Sequence, residues 1–209
     1  MNATACIEIM IAADEGGMFT DESRLNQAFL LGVLDMCRER YIQETYRTKR
    51  VIPSTWIQAY EAKADPLAQE DECWTYFPFP DIIYVNEWMD GLVYIGQSKG
   101  HTQFHRVNGN SGLALESGFD TDTGLMLCKL DTPNHRLGVK TGTSQMTRVY
   151  AEIIAKHPTQ VPSFNIDKDD YPIDGAGMSW IEAFVRTGMV RQILIQKSNS
   201  VSDGENKGK

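Results

Sequence analysis

The sequence predicts an α+β protein whose helical core is drawn from both ends of the chain, with a β-rich insertion between them. Three observations predict it. Apolar residues recur at three- and four-residue steps over residues 21–46. Short aromatic and β-branched segments, broken by Pro and Gly, fill the middle of the chain. A second amphipathic stretch covers residues 174–196. The expected division is a first part of the helical core at 1–50, a β-rich insertion at 51–170, the C-terminal core helix at 171–197 and a disordered tail at 198–209.

Residues 3–14 are mostly apolar and compatible with a helix that Gly16-Gly17 ends. Thr20 or Asp21 suits the cap of the next helix, and Asp21 and Glu22 favour its positive end. Along that helix Leu25, Phe29, Val33 and Met36 form one row and Leu30, Leu34, Cys37 and Tyr41 another. The stripe is broad, which predicts burial on more than one side. Arg38, Glu39, Arg40, Gln43 and Glu44 populate the later turns. After Pro53, residues 61–72 are polar and acidic, and read as a loop or short helix.

Trp74–Phe77, Ile82–Val85, Leu92–Ile95 and Gln103–Val107 read as short strands, punctuated by Pro78, Pro80, Asp90-Gly91 and Gly96. Leu125–Leu130 and Arg136–Thr141 flank Asp131-Thr132-Pro133-Asn134 and read as a hairpin. In the second of these strands Leu137 and Val139 alternate with Arg136 and Lys140. Arg148–Ala155 places Val149, Ala151 and Ile153 on one face; a helix is the rival reading. In the last helix Met178, Ile181, Val185, Met189 and Ile193 form the apolar stripe, with Asp174 near its start. From Ser198 onward the composition is too polar to order itself.

At 209 residues, 42% of them hydrophobic, the chain can build a sizeable core. Its four cysteines, Cys6, Cys37, Cys73 and Cys128, have no CxxC pairing, so they read as buried thiols. The first residues lack a basic region and carry acids at Glu8, Asp14 and Glu15, which predicts no signal peptide. No apolar run is long enough to span a membrane. The net charge is −8, and the densest basic run is Arg47-Thr48-Lys49-Arg50, which disfavours tight binding of nucleic acid.

Each catalytic fragment is incomplete. Lys140-Thr141-Gly142 matches an element of serine β-lactamases, but SxxK is absent. His101 and His105 are spaced as HxxxH without the glutamate of HExxH. His157-Pro158-Thr159 lacks the second histidine arm that a phosphoesterase needs. Asp120 and Asp122 begin like a calcium loop that never closes. Gly109-Asn110-Ser111-Gly112 has no Walker lysine. Asp167, Asp169 and Asp170 read more economically as a solvated loop than as a metal cluster. No catalytic residue, cofactor or metal is therefore expected.

Trp74, Tyr76, Phe77, Phe79, Tyr84, Trp88 and Tyr94 concentrate aromatic surface within a short span. They suit the core of a small β layer or the centre of a protein–protein interface, and both roles can hold on opposite faces.

Three stretches carry a resemblance: Tyr41-Ile42-Gln43-Glu44-Thr45-Tyr46 at a helix end, Tyr76-Phe77-Pro78-Phe79-Pro80-Asp81-Ile82-Ile83-Tyr84-Val85, and Asp170-Tyr171-Pro172-Ile173-Asp174 before the last helix. With the order of parts, they resemble the head-to-tail connector proteins of tailed bacteriophages. The likeness is to the ring or adaptor proteins under the portal in short-tailed phages, the crAss-like group included. A Gly-Met-type step often follows the Pro-rich segment in such proteins, and reads here as Met89-Asp90-Gly91-Leu92.

The resemblance implies a structural virion protein, assembled in the host cytoplasm, that forms a homo-oligomeric ring, a dodecamer. Its implied partners are the portal and other neck or tail proteins. Packaged DNA would pass through the channel without specific binding, which the acidic charge suits. The tail would order on a neighbouring subunit. Two other readings stand beside it: a small soluble enzyme using His101, His105, His157 and Asp120, and a host-directed binding module using the aromatic cluster.

Overall fold

The computed structural model describes residues 1–14, 27–65, 74–85, 90–100, 103–107, 126–140, 146–190 and 192. Thr20, Asp21, Leu25, Cys73, Trp88, His101, Gly109–Gly112, Asp120, Asp122, Thr141–Thr143, Ile193 and the tail 198–209 lie outside the described residues. The protein is α+β. Contacts divide it into two units, one of Met1–Trp56 with Phe164–Lys209 and the other of Ile57–Ser163. Both boundaries fall inside the expected span of 51–170.

Among the described residues the first unit holds three helices: α1 (Ala3–Ala12), α2 (Gln27–Lys49) and α3 (Gly175–Arg186). All three contact one another. Asn2 caps α1, its side-chain oxygen accepting from Ala5 N at 3.0 Å. Asp174 caps α3 in the same way, through Gly177 N at 2.6 Å. Ala3, Cys6 and Met10 of α1, Leu30, Leu34 and Cys37 of α2, and Ile181 and Val185 of α3 share one core.

The buried face of α2 is broad, as expected, but shifted from the two apolar rows. Phe29 is exposed and Met36 only partly buried, while Asp35 and Arg38 are buried instead. The expected helix over 174–196 also breaks. Gly188 turns at φ +68, its N–H bonding Val185 O, while Thr187 N donates to Ala183 O. A glycine that enters the left-handed region at no steric cost ends α3 at this point.

Among the described residues the second unit holds seven strands: β1 (Gln58–Lys63), β2 (Thr75–Pro78), β3 (Leu92–Gly96), β4 (His105–Arg106), β5 (Leu127–Asp131), β6 (Arg136–Lys140) and β7 (Arg148–Ile153). One sheet runs β1-β7-β3 and the other β2-β6-β5-β4. All pairs are antiparallel except β4 with β5. Hydrogen bonds join the sheets at both edges. On one side Asp65 N donates to Tyr76 O at 2.8 Å, and Tyr60 Oη to Pro78 O at 2.6 Å. On the other, Phe104 N donates to Ile95 O at 2.9 Å, beside a bridge between Gly96 and Gln103. These few bonds tie the edges of the two sheets together, while β1 has a ladder only with β7.

The hairpin β5–β6 forms as expected, with Leu127 opposite Lys140 and Asp131 opposite Arg136. A 3-10 turn at Thr132–Asn134 connects them, and His135 follows at φ 50. Residues 148–153 are a strand, not the rival helix, and lie at the centre of their sheet.

Two local expectations need correction. Residues 61–63, read as loop or helix, finish β1, in which Gln58, Tyr60 and Ala62 face inward and Ala59, Glu61 and Lys63 outward. Ile82–Val85 is extended but joins a sheet only through one bridge, Ile82 with Ala155. No helix among the described residues is long and apolar enough to cross a membrane.

Candidate functional site

The residues that carry the most chemistry lie inside the helical unit. Asp35, Arg38 and Tyr41 recur at three-residue steps, which places them along one side of α2. Opposite them runs Tyr171-Pro172-Ile173-Asp174, the approach to α3. Tyr171 Oη donates to Asp35 Oδ1 at 2.6 Å. Arg38 Nε donates to the Pro172 carbonyl at 2.7 Å, and Arg38 Nη2 reaches Trp56 O at 3.4 Å. Tyr41 Oη donates to Asp174 Oδ1 at 2.9 Å, the same oxygen that caps α3. Three rungs therefore join α2 to the start of α3.

Asp35 is 3% exposed, Tyr171 2% and Arg38 0%. Charges so deeply buried persist only when paired and hydrogen-bonded. The ring of Tyr171 also lies beside the guanidinium, 5.8 Å from Cζ to centroid. Proline at 172 supplies no N–H, so its carbonyl turned toward Arg38 leaves no buried donor of its own orphaned. The ladder fixes where α3 starts. Gly177 completes the close approach, because a Cβ there would lie 2.6 Å from Tyr41 Cε1 and 2.5 Å from Ile173 Cγ1.

Burial favours the neutral forms of this unit's ionisable groups, pushing the Arg38 guanidinium below its ordinary value. Desolvation raises the Tyr171 hydroxyl well above its ordinary value, and the neighbouring Asp35 carboxylate raises it further. Desolvation likewise raises the Cys6 thiol to about 11 and the Cys37 thiol to about 12. A group raised on folding contributes stability fully present below its unfolded value and lost as pH climbs toward the folded one. The thiols start from 9.0. The expected result is a stability plateau up to about pH 9 and a decline above it, of roughly 1.4 kcal/mol per pH unit for each fully buried thiol. Urea melts from pH 7 to 11 test this, and Cys37→Ala should flatten the decline. A flat profile to pH 11 in the wild type would contradict it.

The aromatic cluster divides by burial. Trp74, Phe77 and Phe79 are buried within the β unit, Tyr76 and Tyr94 are partly exposed, and Tyr84 is 57% exposed. Tyr76 and Trp74 are covered on one side by Lys129, whose Nζ stands 4.1 Å from the Trp74 centroid and 5.7 Å from that of Tyr76. The Lys129 stem passes over Gly138, where a Cβ would meet it at 3.1 Å. Lysine thus shields the aromatic shelf with its own methylenes. Among its described residues this cluster thus presents less surface than its composition suggests, with Tyr84 the most exposed.

Of the dispersed histidines, His105 is exposed on β4 and His157 precedes the 3-10 turn Pro158–Gln160. The structure instead pairs His135 with Asp81, Nδ1 to Oδ1 at 2.8 Å, at the wall of a small open pocket that both residues line. In a nucleophilic triad a carboxylate holds the histidine, and the histidine in turn hydrogen-bonds the nucleophile. Among the described residues no hydroxyl or thiol hydrogen-bonds to His135. With Phe79 N donating to His135 O at 2.8 Å, the pair clips the β5–β6 turn to residues 79–81. No group of three or more His, Cys, Asp or Glu side chains among the described residues is placed to hold a metal.

Sequence reasoning placed Arg38 with the other charged and polar residues of the later turns of α2 and did not single out its burial. One signal was available: Arg38 sits beside Cys37 and one turn from both Leu34 and Tyr41, on the apolar face. No protein-family model matches the chain, and no match is found among curated proteins.

Proposed function

We propose that the chain is a structural subunit of an oligomeric ring in a phage head-to-tail connector, docked on the portal or an adjacent ring and enclosing the DNA channel. One observation carries this reading. Helices from both chain ends form one unit, locked by buried hydrogen bonds, while residues 57–163 form a second unit between them. That arrangement supports a connector because a ring needs a rigid element repeated around an axis, and an inserted unit that can vary without disturbing it.

Two further features fit. The exposed charged residues of the helical unit, Arg47, Lys49, Asp167 and Asp169 among them, would let subunits join through side chains. The net charge of −8 suits a lumen along which DNA slides without sticking. The ring uses no catalytic residue, cofactor or metal, and its tail would order on a neighbour.

Native mass measurement and negative-stain microscopy of the purified chain, alone and with the portal ring, test the reading. A particle of ring mass with a central opening is expected. A chain that stays monomeric or dimeric in both conditions would overturn it.

A further inference from the structure

Two charged triplets in the helical unit share one spacing. Arg47, Lys49 and Arg50 close α2, and Asp167, Asp169 and Asp170 lie in the loop before α3. All six residues are exposed, with the Asp170 side chain at 86%. Apart from the N-terminal amine on Asp170, none of the six forms an ion pair among the described residues. Each triplet is also held in place by its own backbone. Arg50 N donates to Tyr46 O at 2.8 Å while its φ is 53, which ends the helix with the basic side chains projecting around it. In the acidic loop Asn165 Oδ1 accepts from Asp167 N and Lys168 N, and Asp169 Oδ2 accepts from Asn165 N at 2.6 Å.

The triplets cannot neutralise one another within one copy. The Arg38–Pro172 hydrogen bond fixes the segment next to the acidic loop against the middle of α2. Arg47 lies nine residues further along, roughly 14 Å at the helical rise, and the ion pairs of the described residues do not join them. Two complementary, preformed and separated patches on one rigid unit are the requirement for a heterologous contact, which closes into a ring if the rotation allows. In a chain of net charge −8, copies repel one another on average, so the few dense basic sites decide where approach is favourable.

We infer that the basic end of α2 in one copy docks on the Asp167–Asp170 loop of the next, forming the repeated contact between subunits. This rests on the ring reading above and specifies its polarity. The alternative occupant of the basic end is the phosphate backbone of DNA, which the same experiment separates.

The test uses charge reversal in the full chain. Arg47→Glu with Lys49→Glu, and separately Asp167→Lys with Asp170→Lys, should each raise the concentration for half-assembly about tenfold or more. Mixing the two variants should restore assembly, because every contact in an alternating ring again pairs opposite charges. Wild-type assembly should also weaken from 0.1 to 1 M salt, as the screening length falls from about 10 to about 3 Å. Thermal melts confirm that each variant is folded; for one that melts early, the neutral changes Arg47→Gln and Lys49→Gln, or Asp167→Asn and Asp170→Asn, replace it. A wild type that never assembles overturns the ring reading and this contact together. A wild type that assembles, with both reversed variants assembling equally well, overturns this contact alone. Loss of duplex-DNA binding in Arg47→Glu/Lys49→Glu with assembly intact assigns the basic end to DNA, and overturns it too.

Discussion

Replacing Arg38 by methionine is expected to lower the stability of the protein by about 3–5 kcal/mol, the cost of removing one partner from a buried charged pair. The mechanism is specific. Methionine fills much of the volume but leaves the Pro172 carbonyl without its donor at 2.7 Å, and removes the cation beside the buried Asp35 and Tyr171. A domain of ordinary stability has about 5–15 kcal/mol in total, so the variant should be only marginally folded. Tyr171→Phe should cost less, about 1–3 kcal/mol, because it removes a single hydroxyl donor from Asp35. The combination Asp35→Leu with Arg38→Met should recover part of the loss, since it removes the stranded carboxylate as well. Urea denaturation monitored by tryptophan fluorescence and by circular dichroism gives all three values. Arg38→Met within 1 kcal/mol of the wild type would show that the guanidinium does not hold the ladder.

The distance between what the sequence predicts and what the structure contains has a physical cause in each case. Asp174 and the β5–β6 turn were legible because their signals are local. A carboxylate needs only the N–H three residues on to cap a helix, and Asp-Thr-Pro-Asn needs only its own backbone to turn. β1 was not legible. Its alternation of inward and outward residues is regular, but Gln58, Ala59, Glu61, Ala62 and Lys63 all have low strand propensity. What makes the segment a strand is β7, far away in sequence, which pairs with it from Gln58–Ile153 to Lys63–Arg148. The polar ladder was hidden for the same reason. Asp35 and Arg38 look like surface residues until Tyr171 and Pro172 arrive from more than 130 positions away.

The aromatic segment shows the limit of reading composition as surface. Trp74, Phe77 and Phe79 were grouped with Tyr84 by residue type, yet the register of β2 against β6 turns Thr75 and Phe77 inward and leaves Pro78 out. Of the described members of the cluster, only Tyr84 is left with more than half of its surface in solvent, which favours it over them as a contact residue. The charged triplets invert this lesson. Arg47-Thr48-Lys49-Arg50 is a weak signal for nucleic acid in sequence, but its placement at an exposed helix end, apart from an equally spaced acidic loop, gives it a different use.

Gly91→Ala is the second large effect expected, and it isolates a backbone contact. Gly91 has φ +76, and a Cβ there would lie 2.8 Å from the Ile83 carbonyl oxygen and 3.0 Å from both Ile154 O and Ile83 N. The neighbours are main-chain atoms, so no side chain can swing aside. The same backbone carries two hydrogen bonds, Ile83 N to Ile154 O at 2.9 Å and Ile154 N to Gly91 O at 2.7 Å. Alanine must therefore adopt a left-handed conformation, at about 1–2 kcal/mol, and push apart two bonds worth about 1 kcal/mol each. The expected loss is roughly 3–4 kcal/mol. Gly100→Ala is the control, because Gly100 has φ +78 but nothing within 4 Å of a Cβ. It should show the conformational cost alone. Amide hydrogen exchange should localise the difference, with Ile83 and Ile154 losing protection in Gly91→Ala and keeping it in Gly100→Ala. Equal losses of stability in the two variants would mean that the left-handed backbone, not the approach of the three segments, is what position 91 demands.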